Sequence, residues 1–175
     1  MQKKVQIISD GSLDLPQELT KEKDIEVVPF YVSFDSQTYK KEMVEQDVRE
    51  FYQEMVDHPT VFPKTSMPSV NDFYELFKKH AEENLPVICI CITRKFSGSL
   101  QSATTAKDMV LEDIPDAQIT VIDSTVNTVL QGLYVLEACR LRDMGLEYQQ
   151  IVDALLPIRE TGRIFFTIGS IDYLK

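Results

Sequence analysis

Short runs of aliphatic and β-branched residues alternate along this chain with longer stretches in which apolar residues recur at helical spacing. The short runs predict five strands, at residues 4–9, 25–34, 87–92, 118–122 and 163–168. Pro29 interrupts the second run. Because proline has no N–H to donate, that strand is predicted to lie at a sheet edge or to carry a bulge.

The intervals between the strands predict helices, at residues 48–56, 70–81, 100–110, from about 125 to 144, and at 147–160. Ser69 and Asp72 predict a capping box at the start of the second helix. Gly145 is expected to stop the long fourth helix, and Pro157 to kink the last turn of the fifth. A further helix is predicted to begin at Ser170.

Three prolines in residues 59–68 exclude a regular helix there, so Thr65 and Ser66 are predicted to lie in a shaped loop. Strands that alternate with helices favour a parallel sheet covered by helices on both faces. The predicted fold class is therefore α/β, with a parallel-sheet, Rossmann-like three-layer domain. A length of 175 residues is enough for one such domain with a buried core.

Composition narrows the class of protein. Apolar residues make up 43% and charged residues 26% of the chain, as in soluble globular proteins. The formal net charge of −10 argues against a nucleic-acid partner, because phosphate binding needs clustered Lys and Arg. No apolar stretch is long enough for a signal peptide or a membrane-spanning helix. With three cysteines that fit a reducing compartment, these features predict a cytoplasmic protein.

Cys89 and Cys91 lie two residues apart in a wholly apolar run. Their spacing places both side chains on one face of the predicted strand. The chain has only two histidines, His58 and His80, to complete a metal site. The two cysteines are therefore predicted to be core residues, and no metal is predicted.

Two hydroxyl-rich loops stand out as candidate chemistry. The first contains Thr65 and Ser66, and the second is the run Ser97-Gly98-Ser99. Each precedes a predicted helix, whose free N–H groups and partial positive charge favour an anion. Two such loops that converge would form a clamp for a carboxylate or a phosphate. The alternative is that Ser69 and Ser99 are ordinary helix N-caps.

Fold logic brings these loops together. In a parallel sheet ligands bind beyond the carboxyl ends of the strands. The segments 10–12, 93–99 and 123–124, the last of which contains Ser124, all follow predicted strands. The loop at 63–69 opens a helix and is expected to reach the same edge. Four polar loops are thus predicted on one rim.

The rim shows no signature of catalysis. The string around Ser97 lacks the G-x-S-x-G pattern of a nucleophile elbow, and phosphate-binding and dinucleotide-binding glycine motifs are absent. We interpret Asp10, Asp14 and Asp123 as turn and cap residues in preference to Mg²⁺ ligands. No catalytic residue and no cofactor are predicted. The rim has donors without a base, which favours holding a ligand.

Several blocks of the chain resemble the DegV family of fatty-acid-binding proteins, the substrate-presenting subunits of bacterial fatty-acid kinase. The two hydroxyl loops, 64–69 and 96–103, are similar to the T-S-Q-P-S and L-S-G-T-Y-Q-S-A blocks of that family, and they are the specific part of the resemblance. Weaker matches are found at 9–16, 25–29, 122–124 and 166–175. Met67, Ser99 and Gly11 depart from the family's Gln, Thr and Ser.

The resemblance implies a protein that binds a long-chain fatty acid and is not itself an enzyme. Thr65 and Ser97 would be the main contacts of the acyl carboxylate. Around them the resemblance places the other site residues, which are Ser66, Gly98, Ser99 and Ser124. The carboxylate would be presented to a separate ATP-binding kinase subunit for formation of an acyl phosphate. No nucleic-acid partner and no membrane span are implied.

Family members continue into a second, α+β domain that carries much of the acyl tunnel. The resemblance therefore implies a DegV-type α/β domain at residues 1–160 and, at 161–175, the start of a second domain that is cut short and largely missing. Two alternatives remain. One is a small α/β enzyme or sensor for a phosphorylated or carboxylated metabolite. The other is a half-protein without a ligand that forms a homodimer through its exposed interface.

Overall fold

The structure, a computed structural model, describes residues 4–167. Its seven strands are β1 Gln6–Asp10, β2 Ile25–Val28, β3 Tyr31–Ser33, β4 Lys40–Lys41, β5 Lys64–Ser66, β6 Val87–Cys91 and β7 Ile119–Asp123. Its six α-helices are α1 Gln17–Glu22, α2 Val48–Asp57, α3 Val70–Glu82, α4 Ser99–Asp113, α5 Thr128–Asp143 and α6 Tyr148–Ile158. A 3₁₀ turn at Gly11–Leu13 follows β1.

The main sheet has four parallel strands in the order β2-β1-β6-β7. All five residues of β1 and of β6 are buried, because helices cover both faces. One face packs against α5 and α6 through a cluster that includes Val135 and Leu155. The other packs against α3 and α4 through Phe73, Phe77 and Ala106. The predicted three-layer α/β architecture is confirmed.

A second, antiparallel sheet was not predicted. The single strand predicted at 25–34 breaks at Pro29, and its two halves, β2 and β3, enter different sheets. β3 pairs with β4 on one side and with β5 on the other. The predicted loop at Thr65 and Ser66 is therefore a short strand, because those residues pair with Val32 and Tyr31.

Residues 29–67 surround this second sheet, and we call this part of the chain the lobe. Within it only Val32 and Ser33 are buried. No residue of α2 is buried, although one side of the helix is apolar. The rest of the described chain, which we call the sheet domain, contains every member of both hydrophobic clusters.

The fifth predicted strand is wrong over its described part, since residues 163–167 have no regular secondary structure. Phe165 and Phe166 are 93% and 66% exposed, so these apolar side chains lack the packing that a strand in the sheet would give them. Ile168 and the helix predicted from Ser170 lie outside the described residues. The division of the chain at residue 160 stays a prediction.

Local signals in the sheet domain are confirmed. Ser69 and Asp72 form the predicted capping box at α3. Gly145 follows α5 with a φ of 87°, a backbone conformation that favours glycine. Cys89 and Cys91 are buried with their Sγ atoms 3.7 Å apart, on one face of β6 as predicted.

Candidate functional site

The carboxyl ends of the parallel strands meet at one edge of the main sheet, around the buried side chain of Asp10. Asp10 Oδ2 accepts hydrogen bonds from the Ser99 hydroxyl at 2.6 Å and from the Ile92 backbone N–H at 2.9 Å. Its Oδ1 accepts a hydrogen bond from Gln131 Nε2 at 2.8 Å. One carboxyl group thus joins β1, the end of β6, the start of α4 and the body of α5.

Burial raises the pKa of Asp10, whereas the hydrogen bonds from Ser99, Gln131 and the backbone act in the opposite direction. Its two oxygens are already engaged by protein donors from distant parts of the chain. Gln131 was missed by sequence reasoning. Gln131 lies among the buried residues of α5, where it is fully buried. A glutamine among the apolar residues of that predicted helix was the signal in the sequence.

The N-terminus of α4 has no side-chain cap. Gly98 occupies the N-cap position, and Ser99 is the first helical residue. The Ser99 hydroxyl is turned towards Asp10 and does not serve as the cap, so the N-cap alternative fails for this residue. It holds for Ser69, which caps α3. The Ser99 N–H is bonded to Ser97 Oγ, and the N–H groups that follow it keep the partial positive charge that favours an anion.

Ser97 lies directly before this helix end and is half-buried. Its Oγ accepts a hydrogen bond from the Ser99 backbone N–H at 3.2 Å. A hydroxyl that accepts in this way can still donate its own proton. Ser97 can therefore donate to an anion at the start of α4.

The two hydroxyl loops adjoin. The side chain of Met67 lies against Gly98, since a Cβ atom at Gly98 would collide with Met67 Sδ. Met67 directly follows β5, the strand that contains Thr65. This contact places Met67 beside the Ser97 loop, and the convergence of Thr65 and Ser97 on one ligand stays a prediction.

Thr65 lines a cavity of about 240 Å³ together with Gly11, Glu42 and the apolar side chains of α2. Glu42 accepts a hydrogen bond from the Phe30 N–H at 2.9 Å. Burial is the main reason why the pKa of Glu42 is raised, and the nearby carboxyls of Asp14 and Asp10 raise this pKa further. A raised pKa favours the neutral form, which repels an anionic ligand less.

The remaining predicted site residues are placed differently. Ser66 is exposed on β5. Ser124 is fully buried, and its Oγ donates to the Val126 carbonyl at 3.0 Å. It lines a separate cavity of about 180 Å³ beside α5 and α6. Thus Thr65, Ser66, Ser97 and Gly98 present accessible groups, whereas Ser99 and Ser124 make internal hydrogen bonds.

Among residues 4–167, no helix is long and apolar enough to cross a membrane. In the same part of the chain, no group of three or more His, Cys, Asp and Glu side chains is arranged to hold a metal ion.

A family model described as uncharacterised protein, DegV family, matches residues 4–175. A DegV domain-containing protein of Clostridium perfringens is 29% identical over 171 residues, covering 98% of this chain and 59% of that relative. A second, from Caldanaerobacter subterraneus, is 34% identical with the same coverage of both chains.

Solved structures give the same answer. A stearic-acid-binding protein from Eubacterium ventriosum is 45% identical with a TM-score of 0.83, over 86% of this chain and 52% of that one. A fatty-acid-binding DegV family protein from Thermus thermophilus is 29% identical with a TM-score of 0.76, over 89% and 53%. The chain thus spans between about half and three-fifths of the length of these relatives.

Proposed function

This chain belongs to the DegV family, and on that premise we propose that it binds the carboxylate end of a long-chain fatty acid at the rim of its main sheet. Two similar proteins of known structure are described as binding stearic acid and fatty acids, and the proposal assigns the same class of ligand to this chain. The chain spans about half the length of those relatives, so its ligand and its partner are both proposals.

One observation carries it. The N-cap residue of α4 is Gly98, which has no side chain to cap the helix, and Met67 of the Thr65 loop contacts Gly98 at that helix end. Desolvating a carboxylate is costly unless several donors replace its water. The N–H groups of α4 that follow Ser99 and the adjoining hydroxyls supply such donors.

The predicted residues divide into two roles. Thr65 and Ser97 donate directly to the carboxylate, with Ser66 and the Gly98 backbone beside them. Ser99 and Ser124 hold the loops in place, since both hydroxyls are buried and engaged internally. The acyl chain contributes about 0.8 kcal/mol for each CH₂ that it buries, so affinity depends on how much of the chain the protein covers.

We propose further that the bound carboxylate is presented to a separate ATP-binding subunit of a fatty-acid kinase, which converts it to an acyl phosphate. In this role the chain contributes no catalytic group. It positions the carboxylate at the exposed rim, where Thr65 and Ser66 remain accessible.

Native mass spectrometry of the purified chain tests lipid binding. We expect a bound species with the mass of a long-chain fatty acid in the wild type and its loss in a Ser97→Ala, Thr65→Ala double variant. A Thr60→Ala, Thr105→Ala double variant removes two hydroxyls outside the candidate site and should keep the lipid.

Retention of the lipid by the Ser97→Ala, Thr65→Ala variant would refute the assignment. Turnover of a small phosphorylated or carboxylated metabolite by the chain alone, without a kinase subunit, would favour the alternative of a small α/β enzyme. Phosphorylation is tested by adding the ATP-binding subunit and measuring acyl phosphate.

A further inference from the structure

An apolar stripe lies exposed along α2 and the turn before it. We call it the α2 stripe, and it consists of Val44, Val48, Tyr52 and Val56, which are 71%, 47%, 61% and 71% exposed. The three helical members recur every four residues, so they lie on one side of the helix. Val44 and Val48 line the same surface depression.

The fold of the chain alone does not explain this stripe. α2 has ten residues and none is buried. A helix of this length is marginal in water unless tertiary packing supports it. On its inner side Phe51 packs on Phe34, with ring centroids 5.1 Å apart, and Tyr52 of the stripe lies edge-on to Phe51 at 5.6 Å. The four members of the stripe nevertheless remain largely exposed. An exposed row of apolar side chains of this kind is typical of an interaction surface.

Charge around the stripe selects the occupant. Residues 42–57 contain six acidic side chains and a single basic one, Arg49. This balance disfavours an anionic lipid surface, which attracts basic segments. It also disfavours a second copy docked face to face, because like charges would then oppose each other. A protein with Lys and Arg around an aliphatic ridge is the complementary partner.

The stripe is continuous with the candidate site. Val48 and Tyr52 line the same cavity as Thr65. A partner seated on the stripe would therefore lie next to the proposed carboxylate, which is the placement that presentation of a ligand requires.

We propose that the α2 stripe is the docking surface for a protein partner with aliphatic side chains flanked by Lys and Arg. The inference rests on the proposed function, in which this partner is the ATP-binding kinase subunit. Apolar contact supplies the affinity and the acidic surround steers the encounter.

Isothermal titration of the full chain with the purified ATP-binding subunit tests the surface. The variant Val44→Ser, Val56→Ser changes the two most exposed members, neither of which lines the Thr65 cavity. We expect its dissociation constant to rise by about tenfold or more. Glu50→Lys, Glu54→Lys should also weaken binding and reduce its salt dependence. Met109→Ser, Met144→Ser, matched exposed apolar residues on the sheet domain, should bind as the wild type does.

Unchanged affinity of the Val44→Ser, Val56→Ser variant, or an equal loss in the Met109→Ser, Met144→Ser control, would overturn the docking surface. Two further outcomes would also overturn it. If the wild type dimerised and only the Val44→Ser, Val56→Ser variant lost the dimer, the stripe would serve a second copy of the chain. If the wild type bound phosphatidylglycerol vesicles and only this variant lost that binding, the stripe would serve a membrane. Bound fatty acid, measured by native mass spectrometry on the same samples, should be unchanged in this variant. Absence of lipid in the wild type would instead overturn the proposed function.

Discussion

The sheet domain and the lobe are stabilised in different ways. In the sheet domain β1 and β6 are completely buried between two hydrophobic clusters. In the lobe only Val32 and Ser33 are buried, and hydrogen bonds join the lobe to α3 of the sheet domain. Asp72 of α3 accepts hydrogen bonds from the Tyr31 hydroxyl and, at 3.0 Å, from Lys41 Nζ, both in the lobe.

This difference matters because the candidate site draws one loop from each part. Ser97 and Gly98 belong to a loop fixed through Ser99 and Asp10, whereas Thr65 and Ser66 belong to the lobe. Regions with few buried apolar contacts open locally at lower free energy than a core does. In the proposed site the helix end at Ser97 and Gly98 is therefore expected to stay fixed, whereas the lobe can adjust around a ligand.

The largest expected effect separates the two parts by mutation of one aromatic residue in each. Phe77 is fully buried between α3 and the main sheet, so Phe77→Ala should cost about 3–5 kcal/mol of unfolding free energy. Phe51 of α2 is only half-buried, and Phe51→Ala should cost about 1 kcal/mol. Urea denaturation measures both. Equal costs would contradict the division into a packed sheet domain and a lightly packed lobe.

The next effect distinguishes support from ligand contact within one loop. Ser99→Ala removes a buried 2.6 Å hydrogen bond to Asp10 and leaves that acceptor short of a donor, so it should lower the unfolding free energy by about 1.5–3 kcal/mol. Ser97→Ala should change stability by less than about 1 kcal/mol but reduce fatty-acid binding. Thermal unfolding and native mass spectrometry together give both readouts. A larger stability loss for Ser97→Ala would reverse the assigned roles.

The sequence predicted the sheet domain better than the lobe for a physical reason. Parallel strands buried on both faces are continuous apolar runs, as at Val87–Cys91, and such runs can be recognised locally. β4 is Lys40–Lys41 and β5 is Lys64–Ser66, and neither has an apolar pattern. These strands exist because β3 lies between them, which is a tertiary cause.

The candidate site divides in the same way. The segments 10–12, 93–99 and 123–124 lie at the carboxyl ends of strands of the main sheet, so their placement at one edge was predictable. The segment 63–69 contains a strand of the second sheet, and its place was not predictable in this way. The contact of Met67 with Gly98 and the hydrogen bond of Gln131 to Asp10 were not predictable. Each joins residues far apart in the chain, and its existence depends on how helices pack on the sheet.

A smaller effect concerns acid stability of the sheet domain. Hydrogen bonds from His80 at 2.8 Å and from Lys79 at 3.1 Å lower the pKa of Glu26 from 4.5 to about 2. Because the folded-state pKa is depressed, the stabilisation is present above the unfolded value and is lost as pH falls from 4.5 towards 2. Allowing for solvent screening, the loss should be about 1–2 kcal/mol.

Urea denaturation across this pH range checks the expectation in the wild type and in Glu26→Gln, which keeps the shape but cannot titrate. The wild type should lose stability more steeply on acidification. Parallel pH profiles for the two proteins would show that Glu26 contributes nothing to the acid sensitivity.

The smallest expected effect tests whether the lobe opens separately. Tyr31→Phe removes the hydroxyl that donates to Asp72 but keeps the ring, over which Lys41 Nζ lies at 5.7 Å from the centroid. The lost hydrogen bond should cost about 0.5–1.5 kcal/mol, and because it joins the lobe to α3 the cost should appear locally. Amide hydrogen exchange should become faster in β3 and β5 and stay unchanged in β6. Tyr74→Phe is the matched control, since it removes a hydroxyl that donates to Asp113 at 3.2 Å within the sheet domain, and it should leave exchange in the lobe unaltered. If β6 exchanged faster together with β3 and β5 in Tyr31→Phe, the lobe and the sheet domain would open as one unit, and adjustment of the lobe around a ligand would lose its physical basis.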